Sequence, residues 1–398
     1  MKKIYLDKNS CSGCGACVDS CSHNAISLKE DENGFLYPVV DENSCVDCGL
    51  CVKVCNFSKA DKKDPLKVYA VSWNDHKIIN SASGGAFTAL GTEILRQGGC
   101  VYGCQMHYEN KLRPIMTGSD NLAELVSLQG SKYVQAYSNH VYRKVKKSLL
   151  EGKQVLFSGT PCQVAGLYGY LRRPYENLIT IDLICHGTPS SRLFEGFIEF
   201  LEKKEGGKII DFKFRSKQKG WGNFVYEYKI QKEDKISLKS SSFKTSVYYR
   251  LFLSSKIYRD SCYQCPFAGS ARVSDITIGD FWGVDKEYPE LSKQNGGKMN
   301  FYDGVSCMLL NTGKGVEVYE NLLSGCVHSK SVDYSKVIKY NHQLSNPVAY
   351  PVERKEYLEA FVNGGYKSLR FKYLKKEFLP LLKEIIKDIL LKIKKYIK

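Results

Sequence analysis

The sequence predicts an α+β protein, with a small cysteine-dense N-terminal unit ahead of a mixed α/β domain. Three observations predict it. Eight of the sixteen cysteines fall in two runs of identical spacing between positions 11 and 55. From Val68 onward, short apolar segments alternate with amphipathic ones, the pattern of an α/β core with partly parallel strands. Residues 208–242 break that alternation and read as apolar–polar antiparallel strands.

The elements follow in order. Residues 1–60 are rich in turns, and the polar stretch Lys59–Pro65 reads as a linker. Val68–Trp73 is a strand that opens a main domain spanning 67–366. Ala86 to Gln97 is expected to be a helix stopped by Gly98-Gly99. Gln154 to Phe157 is a buried strand, Pro161 to Arg173 a helix, Leu178 to Ile184 a strand and Pro189 to Glu205 a helix. Phe212–Arg215 and Phe224–Lys229 alternate as antiparallel strands do, and Val305 to Asn311 is a further strand. In residues 367–398, Leu382, Ile385, Ile386, Ile389, Ile393 and Tyr396 share one helical face and lysines dominate the other. That segment is expected to form a basic amphipathic helix, lying on an anionic membrane surface or in a partner's groove, or packing on its own domain.

Charge is uneven along the chain, whose net charge is +16. Residues 1–60 hold 6 basic and 8 acidic side chains, whereas 367–398 hold 11 basic and 3 acidic. No zinc-finger histidine pair, basic zipper or RNA-binding aromatic signature accompanies the positive charge, so nucleic acid is not the expected partner. No apolar signal-peptide core and no spanning apolar run is present, so the expected compartment is the cytoplasm. There disulfides rarely persist, and close cysteine spacing points to metal or redox chemistry.

The two runs are Cys11-x2-Cys14-x2-Cys17-x3-Cys21 and Cys45-x2-Cys48-x2-Cys51-x3-Cys55. Cysteines at every third position can wrap three thiolates round one cubane corner, while the displaced fourth reaches the other cluster. The expected sets are Cys11, Cys14, Cys17 and Cys55 for one [4Fe–4S] cluster, and Cys45, Cys48, Cys51 and Cys21 for the other. Zinc favours two cysteine pairs separated by a longer loop. The segment resembles bacterial dicluster ferredoxins, although Ser22 and Asn56 stand where proline usually follows the fourth cysteine. Gly13, Gly15, Ala16 and Gly49 are the small residues that let backbone approach the cluster.

Four further cysteines stand apart. Cys162 follows a predicted strand, and Cys185 ends the next one. Neighbouring parallel strands would bring these two to one sheet edge. Cys262 and Cys265 form a C-x-x-C that could fold over them. From spacing alone, Cys162 and Cys185 serve equally as small core residues, and four thiolates also suit zinc. Cys100, Cys104, Cys307 and Cys326 read as core residues.

Residues 67 to about 330 resemble the beta-subunit family of coenzyme F420 hydrogenases and dehydrogenases. The likeness rests on Ser81–Phe87, Gln129–Tyr133, Ser158–Gln163, Asp182–Gly187, Cys262–Phe267 and Asp275–Gly283, in the family's order. It implies FAD and a third [4Fe–4S] cluster on Cys162, Cys185, Cys262 and Cys265. Glycine-rich strand-to-helix turns fit that implication, because their amides and the helix dipole favour phosphate. Ser83, Gly84 and Gly85 form one such turn, and Gly159 and Thr160 another. Lys132 is a candidate for phosphate or reduced flavin, or a solvated surface lysine.

The expected function is an iron–sulfur flavoprotein oxidoreductase with three [4Fe–4S] clusters and FAD. It would exchange electrons with a redox partner protein or a small-molecule acceptor, either a deazaflavin coenzyme or a metabolite of a biosynthetic pathway such as polysaccharide assembly. The alternatives are a non-catalytic electron-transfer subunit and an iron–sulfur sensor or scaffold.

Overall fold

The computed structural model describes residues 4–109 and 111–397, with side chains as far as Glu377. The N-terminal unit is a hairpin of β1 (Ile26–Glu30) and β2 (Leu36–Val40), flanked by the short helices Ala16–Ser20 and Leu50–Lys53. The main domain begins at β3 (Lys67–Trp73) and continues through β4 (Cys100–Tyr108), β5 (Leu112–Ser119), β6 (Val155–Gly159) and β7 (Leu178–Leu183). Then come β8 (Lys208–Ser216), β9 (Val225–Lys232), β10 (Lys235–Ser242), β11 (Ile276–Asp280), β12 (Ser306–Leu310) and β13 (Val327–Ser331).

Eight strands form one mixed sheet, in the order β13-β3-β12-β11-β7-β6-β4-β5. The pairs β4/β6, β6/β7 and β7/β11 are parallel. Gly159 lies opposite Asp182, and Leu183 opposite Ile278, so these strands end at one common edge. Crossover helices cover both faces, which is why β6 is buried along its whole length. On one face Leu90, Ile94 and Leu95 of the helix Ala86–Arg96 pack on Leu156, Ile181 and Met308. On the other, Val145 and Leu149 of the helix Val141–Leu150, with Val164 and Leu167 of the helix Pro161–Leu171, cover Val155 and Phe157. The remaining sheet, β10-β9-β8, is antiparallel as its alternation predicts. With the helix Ser191–Glu205 it encloses an aromatic core of Phe194, Phe197, Phe212, Tyr226 and Tyr248.

Three sequence expectations change. The helix from Pro161 stops at Leu171 because Arg172 adopts a left-handed conformation, φ +60°. The linker is pinned rather than free: Lys63 exchanges both backbone hydrogen bonds with Arg272, each 2.8 Å. The C-terminal helix runs Arg354–Ile397 with a break at Gly364–Gly365, and so starts well before residue 367. Tyr366, Leu369 and Tyr373 insert into the aromatic core, so the first turns beyond 367 belong to the main domain. The predicted face from Leu382 to Tyr396 lies outside the described side chains. No helix among the described residues is long and apolar enough to cross a membrane.

Candidate functional site

Cys21, Cys45, Cys48 and Cys51 line one cavity together with Val40 and Gly49. Cys11, Cys14, Cys17 and Cys55 gather on the side facing the main domain. Burial first, and neighbouring sulfurs after it, raise the thiols of Cys14 and Cys17, Cys14 to about 12. Gly13, Gly15 and Gly49 all have positive φ, +68°, +87° and +68°, so the loops turn where a side chain would be strained. The unit is firmly docked. Arg143 donates to the carbonyls of Asp19 and Cys21 at 2.8 and 2.9 Å, and the Tyr142 hydroxyl donates to the Cys14 carbonyl at 3.0 Å.

Cys162, Cys185, Cys262 and Cys265 come from three separate stretches and line a single small cavity. Cys162 is the second residue of its helix, with the Thr160 hydroxyl 3.1 Å from its sulfur. Cys185 follows the end of β7, and the C-x-x-C pair lies on and just after the turn Asp260–Gln264. Burial, then the charges of Cys262, Cys162 and Cys265, hold the Cys185 thiol well above its ordinary range. No cysteine is in a disulfide. Among the described residues no group of three or more His, Cys, Asp or Glu side chains is arranged to hold a single metal ion.

Beside this cavity a cleft opens at the common strand edge, where open α/β sheets place their ligands. Cys162, Cys185 and His186 line both spaces, and Cys14 of the N-terminal unit reaches the wall of the cleft. Two helix N-termini face it, one after Gly85, φ +81°, and one after Thr160. Ser83, Gly85, Lys132, Gly159 and Thr160 all line the cleft. Gly84 does not. Its carbonyl accepts from the Trp73 amide at 2.7 Å, and a Cβ there would overlap the Val71 carbonyl and the Ser306 amide. Gly84 therefore sets the turn's depth rather than touching a ligand. The Lys132 ammonium donates to the Gln129 carbonyl at 2.7 Å, and burial lowers its pKa to about 8. It is a wall residue, not a solvated surface lysine.

Lys217 escaped the sequence. Lys217, 3% exposed, donates to the carbonyls of Ile78 and Ser83 at 2.9 and 2.6 Å and so braces the Ser81–Gly85 turn from β8's end. Its neighbours, Lys-Gln-Lys-Gly, look like a solvated hairpin, and nothing local marks it. Asp280 accepts from Arg215 at 2.6 Å and from the Trp221 indole at 2.8 Å, and it also lines the cleft. Cys104, expected in the core, stands in the cleft wall midway along β4, with Lys132 as its neighbouring charge. His186 is exposed to the cleft.

Residues 152–335 match the family model for the C terminus of the coenzyme F420 hydrogenase/dehydrogenase beta subunit, and residues 10–59 match a 4Fe-4S dicluster domain. The dicluster match supports two [4Fe–4S] clusters in the N-terminal unit, and residues 152–335 are similar to the C terminus of a hydrogenase/dehydrogenase beta subunit. The beta-subunit match contains Cys162, Cys185, Cys262 and Cys265 but begins after Ser83 and Lys132. Among solved structures, the chain resembles one titled as a xenon derivative of the F420-reducing [NiFe] hydrogenase complex from Methanosarcina barkeri. That likeness is 16% identical and covers 76% of this chain and 94% of the other, with a TM-score of 0.46. No curated protein sequence matches.

Proposed function

We propose that the protein is an iron–sulfur flavoprotein oxidoreductase with three [4Fe–4S] clusters and FAD. The supporting observation is that Cys162 and Cys185 belong to two spaces at once, the four-cysteine cavity and the cleft, while Cys14 reaches the same wall. The cysteine sets suit cubanes by chemistry and number. The cleft suits a flavin through its two helix N-termini and Lys132. A bound flavin would interconvert electron pairs with the single electrons of the clusters. The chain's own residues do the rest. Gly85 and Thr160 aim helix amides into the cleft, Lys217 holds the first turn in place, and Lys132 and His186 are the groups able to hold or release a proton there.

The N-terminal unit has a direction. Its Cys11 side is packed on the main domain, whereas Cys48 is exposed, with Val46 and Val52 58% and 47% exposed beside it. The exposed side is the proposed meeting face for a redox partner protein. The acceptor at the cleft is proposed to be a deazaflavin or a biosynthetic metabolite. In the second reading, an electron-transfer subunit without a substrate, flavin would react only within a complex with its partner.

Anaerobic purification should give about twelve iron atoms per chain, by three clusters of four irons, together with a yellow flavin. Cys185→Ser should lower the iron to about eight, by loss of one such cluster, with the N-terminal clusters intact. Iron near eight and no flavin in the unaltered protein would refute the reading. A second expectation concerns pH. Lys132 can pair with an anion only while protonated, and its pKa is about 8. Flavin affinity should therefore weaken as pH rises through 8 to 9, and Lys132→Met should bind more weakly with that pH dependence gone. Fluorescence titration of flavin release reads both, and an unchanged slope in the variant would exclude Lys132 as the anion's partner.

A further inference from the structure

Four arginines are buried among the described residues: Arg215, Arg259, Arg272 and Arg354. Three of them face a carboxylate, Asp280 at 2.6 Å, Asp182 at 2.9 Å and Asp260 at 3.0 Å. Arg259, 1% exposed, has no ion-pair partner among the described residues. Instead its Nε donates to the Cys11 carbonyl at 2.7 Å, Nη2 lies 3.8 Å from the Cys11 sulfur, and Nη1 is 3.4 Å from the Gln135 amide oxygen. The guanidinium stacks 3.9 Å from the Tyr37 ring centroid. The same residue lines the cavity of Cys162, Cys185, Cys262 and Cys265.

A buried charge without a counter-charge is strongly unfavourable. The groups around Arg259 that could supply the negative charge are sulfurs, those of the Cys11 set on one side and those of the Cys262 set on the other. We propose that Arg259 is the internal counter-ion of these two cysteine sites. It clamps the N-terminal unit to the main domain and raises the reduction potential of the clusters on both sides. The inference rests on the three-cluster reading for its second side only. Charge near a cluster and hydrogen bonds to its sulfurs are established levers on potential, and arginine's planar fork lets one residue bond a carbonyl, approach a sulfur and stack on a ring together. The distal set of Cys21, Cys45, Cys48 and Cys51 lines a cavity that Arg259 does not touch.

The test is a redox titration, followed by electron paramagnetic resonance, of anaerobically purified full-length Arg259→Met, Arg259→Gln and Arg259→Lys proteins. Met and Gln should shift the Cys11-side cluster and the Cys262-side cluster to more negative potential and leave the distal cluster where it was. Lys, which keeps the charge, should shift them less. Amide hydrogen exchange at residues 11–17 should speed up in all three, because each loses the fork to the Cys11 carbonyl. If Met loses iron, Gln and Lys carry the same comparison. Wild-type potentials at both sites in iron-replete Gln protein would overturn the proposal, and so would a Lys shift equal to that of Gln. Iron confined to the N-terminal unit of the unaltered protein would remove the three-cluster reading, while the shift at the Cys11-side cluster would still decide the role of Arg259.

Discussion

Replacing Arg272 with methionine should destabilise the protein by about 3–5 kcal/mol, the cost of breaking one side of a buried ion pair. Both partners are nearly fully enclosed, with side chains 2% and 0% exposed. Arg272 bonds Asp182 at 2.9 and 3.3 Å, the Phe267 carbonyl at 2.8 Å and the Leu183 carbonyl at 3.1 Å. Those carbonyls stand just before Cys185 and just after Cys265, so one guanidinium ties together two of the three stretches that line the four-cysteine cavity. Methionine fills the volume but leaves the Asp182 carboxylate buried, with the 2.7 Å bond from the Thr277 hydroxyl as its remaining side-chain donor. Iron should fall from about twelve atoms toward about eight, by loss of one four-iron cluster, as the denaturation midpoint drops. The double variant D182N/R272M removes the stranded charge and should recover much of the stability, yet not the iron, because the two carbonyls stay untied. A single variant that keeps its midpoint would show that the pair does not hold this corner of the fold.

The second large effect is expected at Gly84. Its backbone lies so close to β3 and β12 that a Cβ would overlap the Val71 carbonyl and the Ser306 amide. Gly84→Val must push the turn outward, at about 1–3 kcal/mol for overpacking of this kind, and must carry Ser83 and Gly85 with it. Loss of bound flavin with all the iron retained is the expected outcome, read from the absorbance and iron content of the purified protein. Gly313→Ala is the control. A Cβ there meets nothing within 4 Å, and the residue opens a short helix. It should leave both flavin and stability essentially unchanged. Valine at 84 with full flavin would mean that the turn is not part of the flavin site.

Cysteine spacing made the N-terminal unit legible. Residues that ligate a common cluster from one short loop are local by necessity, and local patterns survive in a sequence. The strands and helices of the sheet were legible for the same reason, since each carries its own periodicity and its own stop, such as Gly98 after the helix Ala86–Arg96. Their ends were less so: Arg172 closes its helix through a left-handed conformation that its side chain does not announce.

The sequence by itself determined the two cluster-bearing runs, the alternation of strands and helices, and the turns at Ser83–Gly85 and Gly159-Thr160 as anion-binding candidates. Only the tertiary structure decided that Cys162, Cys185, Cys262 and Cys265 share one cavity, that this cavity adjoins the cleft, and that the N-terminal unit forms part of the cleft's wall. It alone singled out Arg259, Arg272 and Lys217. The physical reason is the same in each case. A buried basic side chain is placed by partners far along the chain: Cys11 for Arg259, Asp182 for Arg272, and the Ile78 and Ser83 carbonyls for Lys217. Nothing in the residues beside them differs from an ordinary solvated charge until the fold removes the water.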